Sequence, residues 1–435
     1  MSEPAAPLLP AVHSAVEELR RRQVRFEVFA RAGESTHLRR HRDASWERRS
    51  SREVGVSCRA AGDGTAGFAA SSGSSARAGR EAARAALGTM LPGPDPLPPR
   101  DLLGSLSVPR RPQPSSAAEL DRLAREFAGA LSAWDERLRL LDLRVVEGMS
   151  SSLLTTGEGF SCATEAGGGI VEALLAPAQG PLRLVHWAAR AVRDLQPERL
   201  VPPVGEAALA LAGGHGVRRH LADVVLAPAA AARLVAALAR AVTSSGPAAA
   251  RSGDAGRRRT GGHWHIVDER AGARALLPLP CDGEGFPVRR IEIIADGAVV
   301  GGWSTWAQAR ATGRTPGGAM RPSYQDEPQA GPANLVVLAD QPQSHEALLQ
   351  RLGRGYLLDF PAGDVRVEDG GFTLRAAALA VTGGKPDGAH PMVELRGSFR
   401  RLLGALDGIG DDDASFSFHC TVTTPSLLIR GMEIA

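Results

Sequence analysis

Residues 372–395, FTLRAAALAVTGGKPDGAHPMVEL, contain two β-like runs separated by a glycine-containing segment. Short runs bounded by glycine and proline are typical of β-strands. Similar runs recur from about residue 260 onward: HWHIVDE (263–269), VRRIEIIADGAVVGGW (288–303), NLVVLA (334–339), GYLLDF (355–360), SFSFHCTV (415–422) and SLLIRGMEI (426–434). Their number and spacing predict a β-rich, barrel-like C-terminal domain over residues 216–435.

The first 90 residues predict a smaller unit that mixes helix and strand. Residues 11–22 look helical, whereas VRFEVFA (24–30) and EVGVSCR (53–59) alternate as paired strands do. An alanine-rich stretch follows, and Ser75 is placed to cap its first turn as a helix. We therefore expect an N-terminal α+β domain over residues 1–90.

A proline-rich segment divides these two regions. Residues 91–114 hold so many prolines that neither a helix nor a central strand is expected, which predicts a stiff, extended linker. Apolar residues at helical spacing from Leu120 to Leu138 predict a helix, and residues 181–195 predict another. A middle α+β region is thus expected at 115–215, and the chain as a whole is assigned to the α+β class.

Composition limits the classes of function. The 435 residues include 51 basic and 48 acidic side chains, with a net charge of +3 and only 4% aromatic residues, so no global positive field indicates a nucleic-acid partner. No apolar run of 18 residues predicts a membrane span. The four cysteines show neither CxxC spacing nor a disulfide-like pattern. We expect a cytoplasmic protein with reduced thiols that binds neither nucleic acid nor membrane.

Three separated segments resemble one known family. They are REVGVSCRAAGDGTAGFAASS (52–72), LPLPCDGEGFPVRRIEIIADGAVVGGW (277–303) and GIGDDDASFSFHCTVTTPSLLIRGMEIA (408–435). In this order they are similar to the "G-v-R…dG-r-x-G-f-a", "pfDdEG-p-x-r" and "G-x-D…P-s-l-l-v" elements of the TldD/PmbA family. Residues 332–360 and 370–388 resemble two further runs of that family. Cys281 departs from the pattern, because an aspartate or another polar residue is usual at its position.

The resemblance implies one of two kinds of subunit. TldD-type subunits carry HExxxH on a helix, where two histidines bind zinc and the glutamate acts as general base. PmbA-type subunits, also called TldE, lack this motif and pair with a TldD-type partner. The flanking pattern places the motif on Leu234 to Ala241, so that Ala236, Ala237 and Ala241 stand for the first histidine, the glutamate and the second histidine.

We therefore predict a non-catalytic, TldE-type subunit of a heterodimeric zinc metalloprotease. The resemblance implies that zinc is held by the TldD-type partner, with no cofactor in this chain, and that the pair cleaves unfolded or leader-type peptides. This chain would help to form the chamber and bind the substrate, and strand addition at a sheet edge is an economical way to do so. The sequence does not identify the substrate-binding residues.

Two other functions remain open at this stage. His263 and His265 lie two residues apart on a predicted strand, point to one face and could share a metal. With Asp268, Cys281 or Asp282 as a third ligand, the chain would be a metal-binding hydrolase with a relocated site. The family's description as a gyrase modulator suggests, alternatively, a gyrase-associated binding protein.

Three remaining patterns are predicted to be structural. Asp282 and Glu284 lie in a DGEG sequence that favours a tight turn over an acid–base pair. Cys420 is expected to be a buried thiol. HEALLQ (345–350) lacks a second histidine at zinc-binding spacing, so it is interpreted as a helix capped by Ser344.

Overall fold

The computed structural model describes residues 3–106, 113–211, 214, 216–250, 263–272 and 274–435, with only the backbone described at 3, 4 and 243–250. Residues 107–112 of the predicted linker therefore lie outside the described residues. The chain mixes helices and strands, and its second half is rich in strands, which confirms the α+β class. Within the described ranges, no helix is long and apolar enough to cross a membrane.

The first half is built on one antiparallel sheet with the strand order β4-β3-β2-β1-β5-β6-β7, which we call the N-terminal sheet. Its described elements are α1 (Leu9–Arg20), β1 (Arg25–Arg40), β2 (Trp46–Gly62), β3 (Thr65–Ser72), α2 (Ala76–Gly88), β4 (Leu91–Pro92), α3 (Ala117–Ala133), β5 (Leu138–Thr156), β6 (Ser161–Pro177), β7 (Arg183–Ala189) and α4 (Pro197–Ala210). Because β1 pairs with β5, the predicted N-terminal domain and the predicted middle region share this sheet.

One face of the N-terminal sheet is covered by helices. Alternate residues of β1, Phe26, Val28 and Ala30, are buried with apolar residues of α1 and α2, and Leu38 is buried with residues of α3 and α4. The predicted cap of α2 is present, since the Ser75 side chain accepts a hydrogen bond from the Ala78 amide. The intervening residues of each strand point to the opposite face, which is turned toward the second half of the chain.

Two predicted helices are corrected by the structure. Residues 183–189, within the predicted helix 181–195, form the edge strand β7, in which Leu184 is exposed while Val185 and Trp187 are buried. This two-residue alternation suits a strand, although the same apolar residues also fit a helical stripe. The helix that starts near Leu120 ends before Trp134, and Leu138 already begins β5.

The second half contains a closed barrel and a separate open sheet. Its described elements are β8 (His220–Leu226), α5 (Pro228–Ala250), β9 (Trp264–Asp268), β10 (Ile291–Ala295), β11 (Ala298–Val299), α6 (Trp306–Thr312), β12 (Ala319–Met320), β13 (Gln329–Ala330), β14 (Asn334–Ala339), α7 (His345–Leu352), β15 (Arg354–Asp359), β16 (Arg366–Glu368), β17 (Gly371–Thr382), β18 (Lys385–Ser398), α8 (Phe399–Ala405), β19 (Leu406–Ile409), β20 (Ala414–Ser417), β21 (Thr421–Thr424) and β22 (Leu427–Ile434).

The ring of the barrel runs β15-β8-β22-β18-β17 and closes through pairing of β17 with β15. The stretch 372–395 supplies the β17–β18 pair of that ring, and the expectation of a barrel-like C-terminal region is met. The open sheet has the order β11-β10-β9-β14-β21-β20. Helix α5 contacts strands of both sheets, and apolar residues of the three layers form one core.

Candidate functional site

Helix α5 is the element that the sequence singled out. Its side chains are small or aliphatic, which favours helix and lets it fit between two packed sheets. Leu234, Ala237 and Leu238 are buried on it, whereas Ala236 and Ala241 are half-buried. The methyl groups of Ala236, Ala237 and Ala241 offer no lone pair to a metal and no proton to a reaction. The residues at these positions therefore do not fit the zinc that the family resemblance implies for a catalytic subunit.

The β20–β21 hairpin packs against α5. The Phe418 ring lies under the Arg233 guanidinium, 4.0 Å from ring centroid to the Arg233 Cζ atom, and Arg233 also pairs with Asp364 at 2.8 Å. Cys420, in the same hairpin, is buried in the core, and this burial raises its pKa to about 12. The thiol is thus held protonated as an apolar side chain, which is unsuited to binding a metal.

His263 and His265 are each paired with a different carboxylate. His263 Nδ1 lies 2.7 Å from Asp296 Oδ2, and His265 Nδ1 lies 2.6 Å from Glu292 Oε1. Asp268, a predicted third ligand, is fully buried and accepts hydrogen bonds from the Trp303 indole and the Asn334 amide.

The other two predicted third ligands lie elsewhere. Cys281 and Asp282 are buried in a turn against the N-terminal sheet. Among the described residues, no three His, Cys, Asp or Glu side chains come together as a metal-binding group.

A cleft lies on the helix-free face of the N-terminal sheet. Its volume is about 380 Å³, and its opposite wall is formed by Leu276, Leu277, Ser417 and Thr421 of the second half. Arg31, Glu53, Val146 and Ile170 line part of the floor, and small residues on neighbouring strands line the rest: Gly33, Ser35, Ser51, Gly148, Ser150 and Gly168. A Cβ atom added at Gly33 or Gly168 would meet nothing closer than 3.8 Å. Packing therefore does not demand glycine at these two positions, and their lack of a side chain leaves space for a ligand.

A second, polar cavity continues along the same sheet face from Ser51. It encloses about 670 Å³ and is lined by three arginines, each facing a carboxylate. The pairs are Arg39 with Asp142, Arg49 with Glu47 and Arg144 with Glu172. Since each cation has its own anion, this surface is polar without a strong net charge.

The outer edge of β2 is open beside both cavities. Strand β3 pairs with β2 only from Gly55 to Gly62, so within the described part of the chain no strand pairs with the outer side of residues 46–53. The Val54 carbonyl points to this outer side, where it accepts a hydrogen bond from the Gly73 amide. Because backbone groups alternate along a strand, those of Ser50 and Arg52 also face outward.

A buried network of charges fixes the N-terminal sheet to the second half. Arg59 Nη2 lies 2.7 Å from Glu27 Oε2, and Arg59 Nη1 lies 3.3 Å from Glu284 Oε1. Arg321 makes a short ion pair with Glu27. All four side chains are at most 4% exposed, so the network is effectively shielded from water.

The DGEG turn supplies the C-terminal part of this network. Asp282 accepts hydrogen bonds from the amides of Glu284 and Phe286 in its own turn and from those of Gly318 and Ala319. Burial raises the pKa of Glu284 to about 7, although Arg59 acts in the opposite direction. The arrangement matches the expected structural turn, and nothing in it resembles a nucleophile with its base.

Neither the cleft nor the network is apparent in the sequence. The small residues of the cleft floor come from strands that are far apart in the chain, and only the sheet register brings them together. Glycine and serine in a strand are a weak signal when its neighbours are unknown. The network likewise joins Glu27 to Arg321, which are 294 positions apart.

Comparisons with known proteins agree with this architecture. Residues 219–435 match a family described as the PmbA/TldA metallopeptidase C-terminal domain. A search of curated proteins found no match. The fold is similar to that of TldE from Thermococcus kodakarensis, with a TM-score of 0.83, 17% identity and coverage of 99% of this chain and 100% of that one.

Two further solved structures are similar over nearly the full length. One, from Thermotoga maritima, is described as a candidate modulator of a DNA gyrase; it has a TM-score of 0.81 and 18% identity, with coverage of 98% of this chain and 99% of that one. The other, from Bacteroides thetaiotaomicron, carries the same description, with a TM-score of 0.79, 16% identity and coverage of 100% and 99%. At these identities the likeness shows a shared fold.

Proposed function

Since the chain belongs to the PmbA/TldD family, we propose that it is the non-catalytic, TldE-type subunit of a two-subunit zinc metallopeptidase. The observation that carries this proposal is helix α5, which is a packed element of the core, and on which the family resemblance aligns Ala236, Ala237 and Ala241 with the zinc ligands and the general base. The metal and the hydrolytic step are therefore assigned to a TldD-type partner.

The part played by this chain is to hold the substrate in an extended form. The cleft and the adjoining polar cavity lie along one sheet face, and the open edge of β2 borders both. A peptide added at that edge would bond through its main chain, while its alternate side chains would extend on the sheet face that carries Ser51 and the cleft. This mode makes few demands on sequence, which suits unfolded or leader-type peptides.

The open edge is long enough for such a substrate. Residues 46–53 extend over roughly 26 Å at about 3.3 Å per residue, which matches a peptide of similar length. Polar and charged side chains line the edge, as is common for exposed edge strands that must avoid self-association. A single unfolded peptide therefore fits this edge better than a second folded copy does.

The relocated metal site gains no support from the geometry. His263 and His265 are each engaged by a carboxylate of their own, and their predicted third ligands point elsewhere. Zinc bound in a one-to-one ratio to the isolated chain, and lost on His263→Ala, would establish that alternative instead.

The test is reconstitution with a TldD-type subunit encoded beside this chain. An unstructured peptide is incubated with each subunit alone and with the pair, with and without a chelator. We expect chelator-sensitive cleavage by the pair that exceeds cleavage by either subunit. A partner variant with its HExxxH glutamate changed to glutamine should form the same complex without cleaving. Chelator-sensitive cleavage by this chain alone would contradict the proposal.

A second candidate function follows from the descriptions of two similar structures as candidate gyrase modulators. The nearly balanced charge of the chain does not favour direct DNA binding. Measuring DNA supercoiling by purified gyrase with and without the chain separates the two functions. A stoichiometric change in supercoiling that is independent of the TldD-type partner would support the gyrase role.

A further inference from the structure

Two buried cysteines meet where the two halves of the chain touch. Cys162, on β6, and Cys281, at the start of the DGEG turn, have their Sγ atoms 2.7 Å apart, although 119 positions separate them in sequence. Each is only 5% exposed. A disulfide bond is about 2.05 Å long, so a small approach would join the two sulfurs. The other two cysteines lie in different cores, Cys58 with α1 and α2 and Cys420 with α5.

The surroundings hold both thiols in place. They belong to a small core that also contains Phe29, Leu154 and Phe160 from the N-terminal sheet and its turn. Cys281 is further fixed by a β-bridge to Pro287, and the preceding residue, Pro280, accepts a hydrogen bond from the Leu106 amide. Both sulfurs are enclosed in this core, which keeps them close together in the folded chain. The effective concentration of one thiol at the other is therefore high.

The two thiols are chemically unequal. The Cys281 thiol donates a hydrogen bond to the Cys162 sulfur. This bond lowers the pKa of Cys162 and raises that of Cys281. Cys162 is thus the better nucleophile, and Cys281 is placed to resolve its oxidised form.

We propose that Cys162 and Cys281 form a redox-responsive disulfide that joins β6 to the DGEG turn, with a hydroperoxide as the oxidant. The Cys162 thiolate attacks one peroxide oxygen, which breaks the O–O bond, gives a sulfenic acid and releases hydroxide; with hydrogen peroxide, the proton that Cys162 gave up converts this hydroxide to water. Cys281 then attacks the Cys162 sulfur and forms the S–S bond, and its proton leaves with the departing hydroxide as a second water. Overall, two thiols lose two hydrogens and one hydrogen peroxide becomes two waters.

The disulfide would act on the same junction as the buried charge network. Asp282 follows Cys281 directly, and Glu284 in the same turn contacts Arg59 of β2. A covalent bond here closes a very long loop, which restricts the unfolded chain and should raise the thermal midpoint of unfolding. Oxidation would thereby join β6, a strand of the cleft floor, covalently to the second half of the chain.

The experiment uses the full chain, reduced and then exposed to hydrogen peroxide. Thiols are counted in denaturant, and peptides are mapped by mass spectrometry without reduction. We expect the thiol count to fall from the four of the sequence by two, the intact mass to fall by two hydrogens, and one cross-linked species to contain Cys162 and Cys281. The thermal midpoint should rise and return on reduction.

Matched variants separate this pair from the other cysteines. The double variant C58S/C420S should keep both the cross-link and the thermal shift, whereas C281S should lose both and accumulate sulfenic acid on Cys162. Peptide mapping of the unmodified chain tests for the cross-link even if one of these variants fails to fold. Three outcomes would overturn the proposal: four thiols after peroxide treatment, a cross-link through Cys58 or Cys420, or oxidation of Cys162 without a bond to Cys281.

Discussion

Glu284 shows at the scale of one residue how burial decides charge. Its carboxylate accepts hydrogen bonds from Arg59 and from the Trp306 amide, yet burial raises its pKa from 4.5 to about 7. Desolvation of the charged form therefore outweighs the attraction of the nearby cation. At neutral pH the network is poised between two protonation states.

This shift predicts a pH dependence of stability. Because the folded state holds the Glu284 proton more tightly than the unfolded state does, the contribution to stability is complete below about pH 4.5 and is lost as the pH rises through about 7. Relative to Glu284→Gln, the unmodified chain should lose about 3 kcal/mol of unfolding free energy across this window. Denaturant titrations of both proteins at several pH values measure the difference. Parallel pH profiles would show that Glu284 is not the titrating group.

Some features of single residues could be predicted from the sequence, whereas their contacts with distant residues could not. The alignment of Ala236, Ala237 and Ala241 with the zinc motif is a prediction that the flanking sequence pattern allowed, because that pattern is local in the chain. The partners of Glu284 were not visible, because Arg59 lies 225 positions away and only the fold brings it near. The cysteines showed no pattern for the same reason, since Cys162 and Cys281 become neighbours only when the two halves pack.

At the scale of one element, the two faces of helix α5 differ in how deeply their side chains are buried. Ala237 is fully buried, whereas Ala236 is half-buried. Ala237→Glu would place a carboxylate without a partner in the core and should lower the unfolding free energy by about 3 kcal/mol or more. Ala236→Glu, its matched control, should cost clearly less. Chemical denaturation measures both, and equal losses would contradict the orientation of the helix.

The open edge of β2 gives the second prediction at this scale. Ser50→Pro removes an amide that faces outward, so pairing with β1 should remain intact because proline is tolerated at an edge. Peptide binding by the reconstituted pair should weaken about tenfold, as expected for the loss of about one hydrogen bond. Ser50→Ala removes only the hydroxyl and should bind normally. Fluorescence anisotropy with a labelled peptide measures the affinities. An unchanged affinity for Ser50→Pro would exclude this edge as the peptide-binding site.

Elements were predicted well where periodicity was unambiguous. The strand runs of the second half and the Ser75-capped helix agree with the structure, because glycine punctuation and a capping side chain are local signals. Residues 183–189 were wrongly assigned to a helix, since Val185 and Trp187 fit either periodicity and sheet pairing decides between them. Strand β1 is longer than the apolar run at residues 24–30 that predicted it. Its second part is half-exposed beside the cavities and therefore lacks an apolar pattern.

At the scale of the whole molecule, the charge network couples the two halves. Arg321→Met would leave Glu27 with Arg59 alone, and breaking one buried pair typically costs about 3–5 kcal/mol. Amide hydrogen exchange should then accelerate both in β1 and in the turn at 282–286. The exposed pair of Arg77 with Glu81 offers a control, since Arg77→Met should change neither. Faster exchange in only one half would show that the halves open independently.

The closed barrel has a consequence for the order of events during synthesis. Strand β22 lies between β8 and β18, and its pairing with β8 runs from Leu427 opposite Leu226 to Ile434 opposite His220. A ribosome that adds about 5–20 residues per second reaches this last strand about 10–40 s after it has made β8. Throughout that interval the ring is incomplete, and the common core lacks the buried side chains of β22, such as Ile429 and Met432. The nascent chain therefore depends on β22 to complete the ring, and a ribosome that stalls before residue 427 would leave an exposed core for chaperones or proteases to recognise.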